Sequence, residues 1–278
     1  FHEYLNAAGE EMLLELLENK QTPDQITELL HNKLMALYKK FLFLGGMPEV
    51  ISRYLNNNDI EEVREIQKDI LEAYKRDFSK YTTPTESIRI SEIWNSIPIQ
   101  LAKENKKFKY SDIIKGGRSS KFENAIEWLK NAGLIYIMNN IKTPKMPLSG
   151  YSDKSRFKLF LLDSGLLGAM LNVHSSLIVL ENKLFSEYNG AFVQNFVASE
   201  FLKCGIDDLF YWTSNFDAEI DFIIAKNSEI IPIEVKSGMS RRTKSLRVYS
   251  EKYKARNLIR FSPRNFTKDS DLLNIPLY

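Results

Sequence analysis

Two short stretches decide the reading of this chain, Ala218-Glu-Ile-Asp-Phe-Ile-Ile-Ala225 and Ile230-Ile-Pro-Ile-Glu-Val-Lys236. Side chains of a strand alternate between two faces. As a strand, the first stretch places Ala218, Ile220, Phe222 and Ile224 on one face and Asp221 on the other. The second places Ile231, Ile233 and Val235 together and turns Glu234 and Lys236 the opposite way. The link Lys226-Asn-Ser-Glu229 suits a hairpin turn. A hairpin centred between Asn227 and Ser228 pairs residues whose numbers sum to 455. Asp221 then faces Glu234, about 4.5–5.5 Å away at Cβ, and like charges so placed repel. A divalent cation is the expected compensation.

Around this hairpin the order is helix (190–203), strand (209–213), the two hairpin strands, a basic helix (243–253) and a strand (257–261). A helix, a hairpin carrying D…E-x-K, a helix and a strand form the layout of the PD-(D/E)XK nuclease core. The spacing has a chemical reason. Two carboxylates hold Mg²⁺ beside a scissile phosphate, where the ion polarises the phosphoryl oxygens and generates hydroxide from bound water. A lysine one pleat further along positions that water or stabilises the developing charge. On these grounds Asp221, Glu234 and Lys236 are the expected catalytic residues, and Asp221 and Glu234 the expected metal ligands. The competing reading is an ordinary surface ion pair worth under ~1 kcal/mol.

The helix at 190–203 reads as amphipathic and carries one acid, Glu200. Active nucleases of this layout usually bring a further carboxylate from that helix. Gln194 is the other candidate ligand. Six residues separate Gln194 from Glu200, about 240° modulo a turn, so both cannot face one ion. A neutral amide at Gln194 ligates weakly, which makes the site either active or vestigial.

Two further segments precede this one. Residues 1–80 read as helical, with Ile26, Leu29, Leu30, Leu34 and Leu37 at helical spacing and Thr22 or Asp24 as the cap. The helix ends at Gly45-Gly46 before Pro48. Residues 81–145 read as helix, a short helix at 110–114 capped by Ser111, a Gly116-Gly117 turn, a helix and a strand at 134–138. Ser120-Lys-Phe-Glu123 has the form of a capping box. That order is the order of a winged helix. Arg118 and Lys121 stand at the start of its recognition helix, the end that contacts DNA in the usual docking mode. In residues 146–278, Asp163 before Ser164-Gly165 reads as an N-cap rather than a catalytic acid. The expected fold is thus α+β and multidomain: a helical region (1–80), a winged helix (81–145) and a nuclease-like α/β domain with a mixed sheet (146–278).

Composition narrows the classes. Hydrophobic content of 44% with 27% charged residues is the balance of a folded soluble protein. No apolar run nears the ~20 residues that span a bilayer, which argues against a membrane partner. One cysteine, Cys204, excludes an internal disulfide and fits a reducing, cytoplasmic setting. Three scattered histidines and that cysteine make no structural zinc site. Net charge is only +2, but residues 239–260 hold eight basic side chains against one acid. Arg241, Arg242 and Lys244 directly follow the site strand and are placed to neutralise phosphates. Residues 103–121 hold seven basic against two acidic, and residues 1–30 one basic against seven acidic. Solvated helix faces explain either basic run alone; a polyanion partner explains both.

The chain begins at Phe1 inside a helical pattern, as a piece of a longer protein would. Several motifs occur together: Phe41-Leu-Phe-Leu-Gly-Gly-Met-Pro-Glu49, Tyr74-Lys-Arg-Asp77, Phe157-Lys-Leu-Phe-Leu-Leu-Asp-Ser-Gly-Leu166, Tyr211-Trp212, Glu219-Ile-Asp-Phe222 and Ile231-Pro-Ile-Glu-Val-Lys-Ser-Gly238, with Ser245-Leu246. Carrying these, the chain resembles the C-terminal part of prokaryotic AAA-type ATPases, whose C-terminal domain of unknown function is similar to PD-(D/E)XK nucleases. The resemblance implies an ATPase domain in cis that is outside this chain. No G-x-x-x-x-G-K-[ST] occurs here, so ATP would bind only through that domain. The basic runs, the winged-helix order and the D…E-x-K hairpin make a nucleic-acid partner, DNA above all, the expectation, and a homo-oligomer is allowed. Many relatives have Glu where this chain has Gln194. The alternative function is a non-catalytic protein-interaction module regulating the ATPase.

Overall fold

The structure is a computed structural model and describes residues 1–20, 24–103, 105–114, 119–173, 184–215 and 218–278, giving the backbone alone for 184–189. It is mixed α/β. Ten α-helices and eight strands are seen among the described residues. The helices are α1 (His2–Ala7), α2 (Glu11–Glu18), α3 (Glu28–Leu44), α4 (Pro48–Asn57), α5 (Ile60–Lys80), α6 (Pro84–Ala102), α7 (Glu123–Asn131), α8 (Ser164–Met170), α9 (Leu184–Lys203) and α10 (Lys244–Tyr253). The strands are β1 (Ile135–Ile141), β2 (Ser152–Leu161), β3 (Leu209–Thr213), β4 (Glu219–Lys226), β5 (Glu229–Val235), β6 (Leu258–Ser262), β7 (Thr267–Asp269) and β8 (Leu272–Pro276). The strands form a mixed sheet in the order β2-β1-β3-β4-β5-β6-β8-β7. Two compact units result, each discontinuous in sequence. One comprises 1–42, 138–155 and 200–278; the other comprises 43–137 and 156–199.

In the second unit, a few polar side chains join motifs that are far apart in sequence. Asp163 caps α8, accepting from the Leu166 N–H at 2.8 Å. Its other oxygen accepts from the Gly46 N–H at 2.6 Å. The cap expected from sequence is therefore present and also holds the double glycine. Gly45 has φ +74°, and a Cβ built there would lie 2.2 Å from the Asp163 carboxylate. Gln67 on α5 donates to the carbonyls of Phe43 and Leu44. Arg64, one turn earlier, donates to Val173 O, Gly165 O and Gln67 Oε1, and its guanidinium lies 3.9 Å from the Phe43 ring. Burial lowers the Arg64 pKa to about 10. A buried arginine with its donors used is tolerated; the same group with one acceptor removed is not.

Other elements in this unit start and stop for local reasons. Asp59 caps α5 through the Glu61 and Glu62 N–H groups. Thr83 and Glu86 form the capping box of α6, behind Pro84 at its first turn. The box expected at Ser120 and Glu123 does not form. Ser119–Lys121 coil into a 3-10 turn, and α7 begins at Glu123 with no side-chain cap. Tyr110–Asp112 is likewise a 3-10 turn without a cap from Ser111. The Gly116-Gly117 turn lies outside the described residues. Helix α9 is not amphipathic, because residues 191–199 are buried on every side. Its Asn195 amide bonds both Leu161 N–H and Leu161 O, as a neighbouring strand would.

In the first unit, α3 starts at Glu28, too late for Asp24 to cap it, and Thr22 is outside the described residues. Ile26 lies before the helix, gripped at both N–H and C=O by the Asn265 side chain. Strands β1, β3, β4 and β6 and helix α10 contribute to a core containing Trp212, Ile220, Ile223, Leu246 and Tyr249. Sequence patterning missed β7 and β8. They are short and follow Asn265-Phe266, with a turn at Ser270.

Gly9 and Gly45 offer a controlled comparison of backbone and steric cost. Both have φ near +70°, but a Cβ on Gly9 meets nothing within 4 Å. Gly9→Ala should cost about 1–2 kcal/mol from the left-handed backbone alone. Gly45→Ala should cost a further ~1–3 kcal/mol as the Asp163 carboxylate is displaced. Urea unfolding of the two variants checks this; equal losses would show that Asp163 moves aside freely.

Candidate functional site

The β4–β5 hairpin has the register its sequence suggested. Phe222 pairs with Ile233, Ile224 with Ile231 and Lys226 with Glu229, so paired numbers sum to 455, and the ladder ends one step short of Asp221 and Glu234. Asn227 and Ser228 both adopt positive φ, 52° and 63°. That is the two-residue turn whose twist matches the strands.

The faces of β4 differ from simple alternation. On the β3 side, Phe210 pairs with Ile223 but Trp212 pairs with Ile220. One β3 residue, Tyr211, therefore stands against two β4 residues, Asp221 and Phe222. This is a β-bulge. Ile220 and Ile223 consequently enter the same core beneath α10. Phe222 instead packs against Phe201 with ring centroids 5.3 Å apart. The expected sharing of a face by Ile220 and Phe222 is thus overturned, and the bulge sits at Asp221. Bulges re-aim side chains beside functional sites. Here one Asp221 oxygen accepts from the Val235 N–H at 2.8 Å.

Glu234 is 3% exposed, so the surface-pair reading of the hairpin does not hold. Lys236 Nζ donates to Glu234 Oε1 at 2.7 Å, with the lysine side chain 31% exposed. Glu234 Oε2 is buried and has no hydrogen-bond partner. Burial raises the Glu234 pKa and Asp221 adds to the rise, while Lys236 and Arg260 oppose it. The repulsion foreseen between the two carboxylates is relieved by separate partners, a backbone N–H for Asp221 and an ammonium for Glu234.

Residues missed by the sequence reading complete the site. Glu234 pairs with Arg260 on β6, and Arg260 with Asn274 on β8. Glu234, Arg260 and Asn274 thus make a polar row across β5, β6 and β8, and the charge of Asp221 reaches Glu234 from β4. Arg260 is 4% exposed and donates to Asn274 Oδ1 at 2.8 Å and to Arg241 O at 3.3 Å. Ser262 donates to the same Asn274 oxygen. Burial lowers the Arg260 pKa, and nearby Arg264 and Arg241 lower it further. The signal for Arg260 was present in its strand, Leu-Ile-Arg-Phe-Ser, where an arginine occupies the face opposite Ile259 and Phe261. Asn274 lay on a strand that patterning did not find.

The other expected residues are dispersed. Arg241, Arg242 and Lys244 are exposed on the segment that leaves β5 and enters α10. Lys121 is exposed in the second unit, on the 3-10 turn before α7. Arg118 lies outside the described residues. Gln194 is buried on α9, in the second unit, whereas Asp221, Glu234 and Lys236 belong to the first. Among the described residues no group of three or more His, Cys, Asp or Glu side chains is arranged to hold a metal. Two carboxylates do not suit an all-protein calcium or zinc cage. They do suit Mg²⁺, which is often held by one or two carboxylates, with water and substrate phosphates filling its remaining positions.

Residues 35–177, just over half of the chain, match a domain of unknown function, DUF8612. The chain belongs to the DUF8612 family. Residues 189–278, which hold the whole polar row, match a second domain of unknown function, DUF4143, found in the C-terminal part of AAA-ATPase-like proteins. No curated protein matches the chain, and no solved structure matches it. No helix among the described residues is long and apolar enough to cross a membrane.

The burial of Glu234 sets a direction for pH dependence. A carboxyl whose native pKa is raised binds its proton more tightly folded than unfolded. Its protonation therefore favours the fold, and that contribution is lost as pH climbs from the unfolded value of about 4.3 through the native pKa. Relative to Glu234→Gln, which does not titrate, the wild type should lose stability over that climb. Urea midpoints measured upward from about pH 4, just below the unperturbed value, to about pH 8 test it. A constant difference would mean that Lys236 and Arg260 fully offset burial.

Proposed function

We propose that the chain handles nucleic acid, with the Asp221–Glu234–Lys236 row as a PD-(D/E)XK-type site for Mg²⁺-dependent phosphodiester hydrolysis. The carrying observation is Glu234: a buried carboxylate that feels the charge of Asp221, bonded to Lys236, with one oxygen lacking a partner. When bound, Mg²⁺ would supply Lewis-acid activation of water and phosphate. Asp221 and Glu234 would hold it, and Lys236 would then be free of Glu234 to hold the attacking water or the developing anion. Arg260 keeps positive potential beside Glu234, and Arg241, Arg242 and Lys244 offer exposed charge to a phosphate backbone. The nuclease-like reading of 146–278 draws support from the mixed sheet with its D…E-x-K hairpin. The winged-helix reading of 81–145 draws support from the order α6, 3-10 turn, α7, β1. The match at 189–278 supports an AAA-type ATPase as the parent, with ATP bound in cis by that other domain.

The second reading is a protein-interaction module in which this fold serves as a scaffold. It is favoured by the existing commitments of the site: Asp221 already accepts a backbone N–H and Glu234 already holds Lys236.

Supercoiled and linear duplex DNA, incubated with Mg²⁺ or Mn²⁺, separates the two. Cleavage by the wild type that is lost in Glu234→Ala and in Lys236→Ala establishes catalysis. Binding without cleavage should fall steeply with added salt, and Arg241→Glu with Arg242→Glu should reduce the slope of log K against log salt by about 2. Absence of DNA binding at low salt would sink the nucleic-acid reading and leave the scaffold.

A further inference from the structure

The opposite face of the same sheet carries a second feature. Ile259 pairs with Ile233 and with Leu273, while Glu234, Arg260 and Asn274 pair among themselves one residue on. Alternation therefore turns Ile259 and Leu273 away from the polar row. On that far side the first unit has a cavity of about 700 Å³. Its floor is Ile231, Ile259, Leu273 and Ile275, all only half-buried. Phe266 and Tyr278 supply ring walls. Four apolar strand side chains left half-open with two rings beside them form a flat, water-excluding surface of the kind that ligand sites use.

The cavity's charge is one-sided. Lys20, Arg256 and Lys268 line it, against a single carboxylate, Asp271. None of the three cations has a carboxylate partner among the described residues. Lys20 Nζ instead lies 4.9 Å from the centre of the Phe266 ring. The Tyr278 wall is fixed from behind. His31 Nε2 lies 3.1 Å from Pro263 O, so that nitrogen carries the proton, and Nδ1 accepts from the Tyr278 hydroxyl at 2.8 Å. The tyrosine hydroxyl is thus used, and its ring edge is held in place.

We infer that this cavity binds a small organic anion with a flat apolar body, the body lying on the isoleucine–leucine floor between Phe266 and Tyr278 and the anionic group meeting Arg256, Lys268 and Lys20. The volume falls within the range of small-molecule sites, roughly 300–1,000 Å³. The inference does not rest on the nuclease-type reading, because none of its residues belongs to the polar row.

Anilinonaphthalene sulfonate serves as the probe, with phenylnaphthylamine as its uncharged counterpart. The folded chain should bind one equivalent of the sulfonate saturably, and phenylnaphthylamine at least tenfold more weakly. Arg256→Glu with Lys268→Glu, both at exposed positions, should weaken the sulfonate at least tenfold. Leu273→Trp should fill the floor and abolish binding. Melting curves and circular dichroism identify any variant that fails to fold; the charge variants then carry the test without Leu273→Trp. No saturable binding to the folded wild type, equal binding of both probes, or indifference to the charge reversals would each overturn the inference.

Discussion

A carboxylate removed from water has to find hydrogen bonds and opposite charge, or give up its own charge. Glu234 imposes that requirement on the sheet of the first unit. Lys236 answers it from two residues along, Arg260 from the next strand, and Asn274 holds Arg260 from the strand beyond. Each of these side chains is meaningful only in the company of the others. Asn274 in turn donates to Arg264 O and Asn265 O, so the same row anchors the segment ahead of β7. The last two strands are therefore part of the electrostatic frame of the site as well as a margin to the sheet.

The bulge at Asp221 lets this polar row coexist with a continuous apolar core. Regular alternation would set Ile220 and Ile223 on opposite faces of β4. Two residues against Tyr211 bring both into the core beneath α10. Asp221 is released from the regular ladder at the same point, and its carboxylate takes the Val235 N–H. In the second unit the comparable device is Asp163, which caps α8 and binds the double glycine, while Arg64 and Gln67 satisfy the carbonyls around it. Gly45-Gly46 and Asp163-Ser-Gly, more than 100 residues apart in the chain, are joined by these hydrogen bonds.

Legibility in the sequence followed the range of the forces. Asn227-Ser228 between two apolar runs was enough for the hairpin and its register, because a two-residue turn admits a single pairing. Asp163 was readable as a cap because its partner is three residues away. The capping box at Ser120 failed for the converse reason: its spacing was right, but the chain there coils into a 3-10 turn. Helix α9 was misread as amphipathic because burial on all sides depends on what surrounds it. Arg260 had a local signal, an arginine alternating with apolar residues, but its role depends on the strands beside it, and Asn274 lies on a strand that patterning did not find.

Turn chemistry and side-chain period are local, and they were enough for the β4–β5 hairpin, its register and the Asp163 cap of α8. The burial of Glu234, the bulge at Asp221, the extension of the row by Arg260 and Asn274 and the cationic cavity on the opposite face all arise from the assembled sheet. Those features depend on solvent exclusion and on pairing between strands distant in the chain. Desolvation is a property of the assembled sheet, and no window of residues contains it.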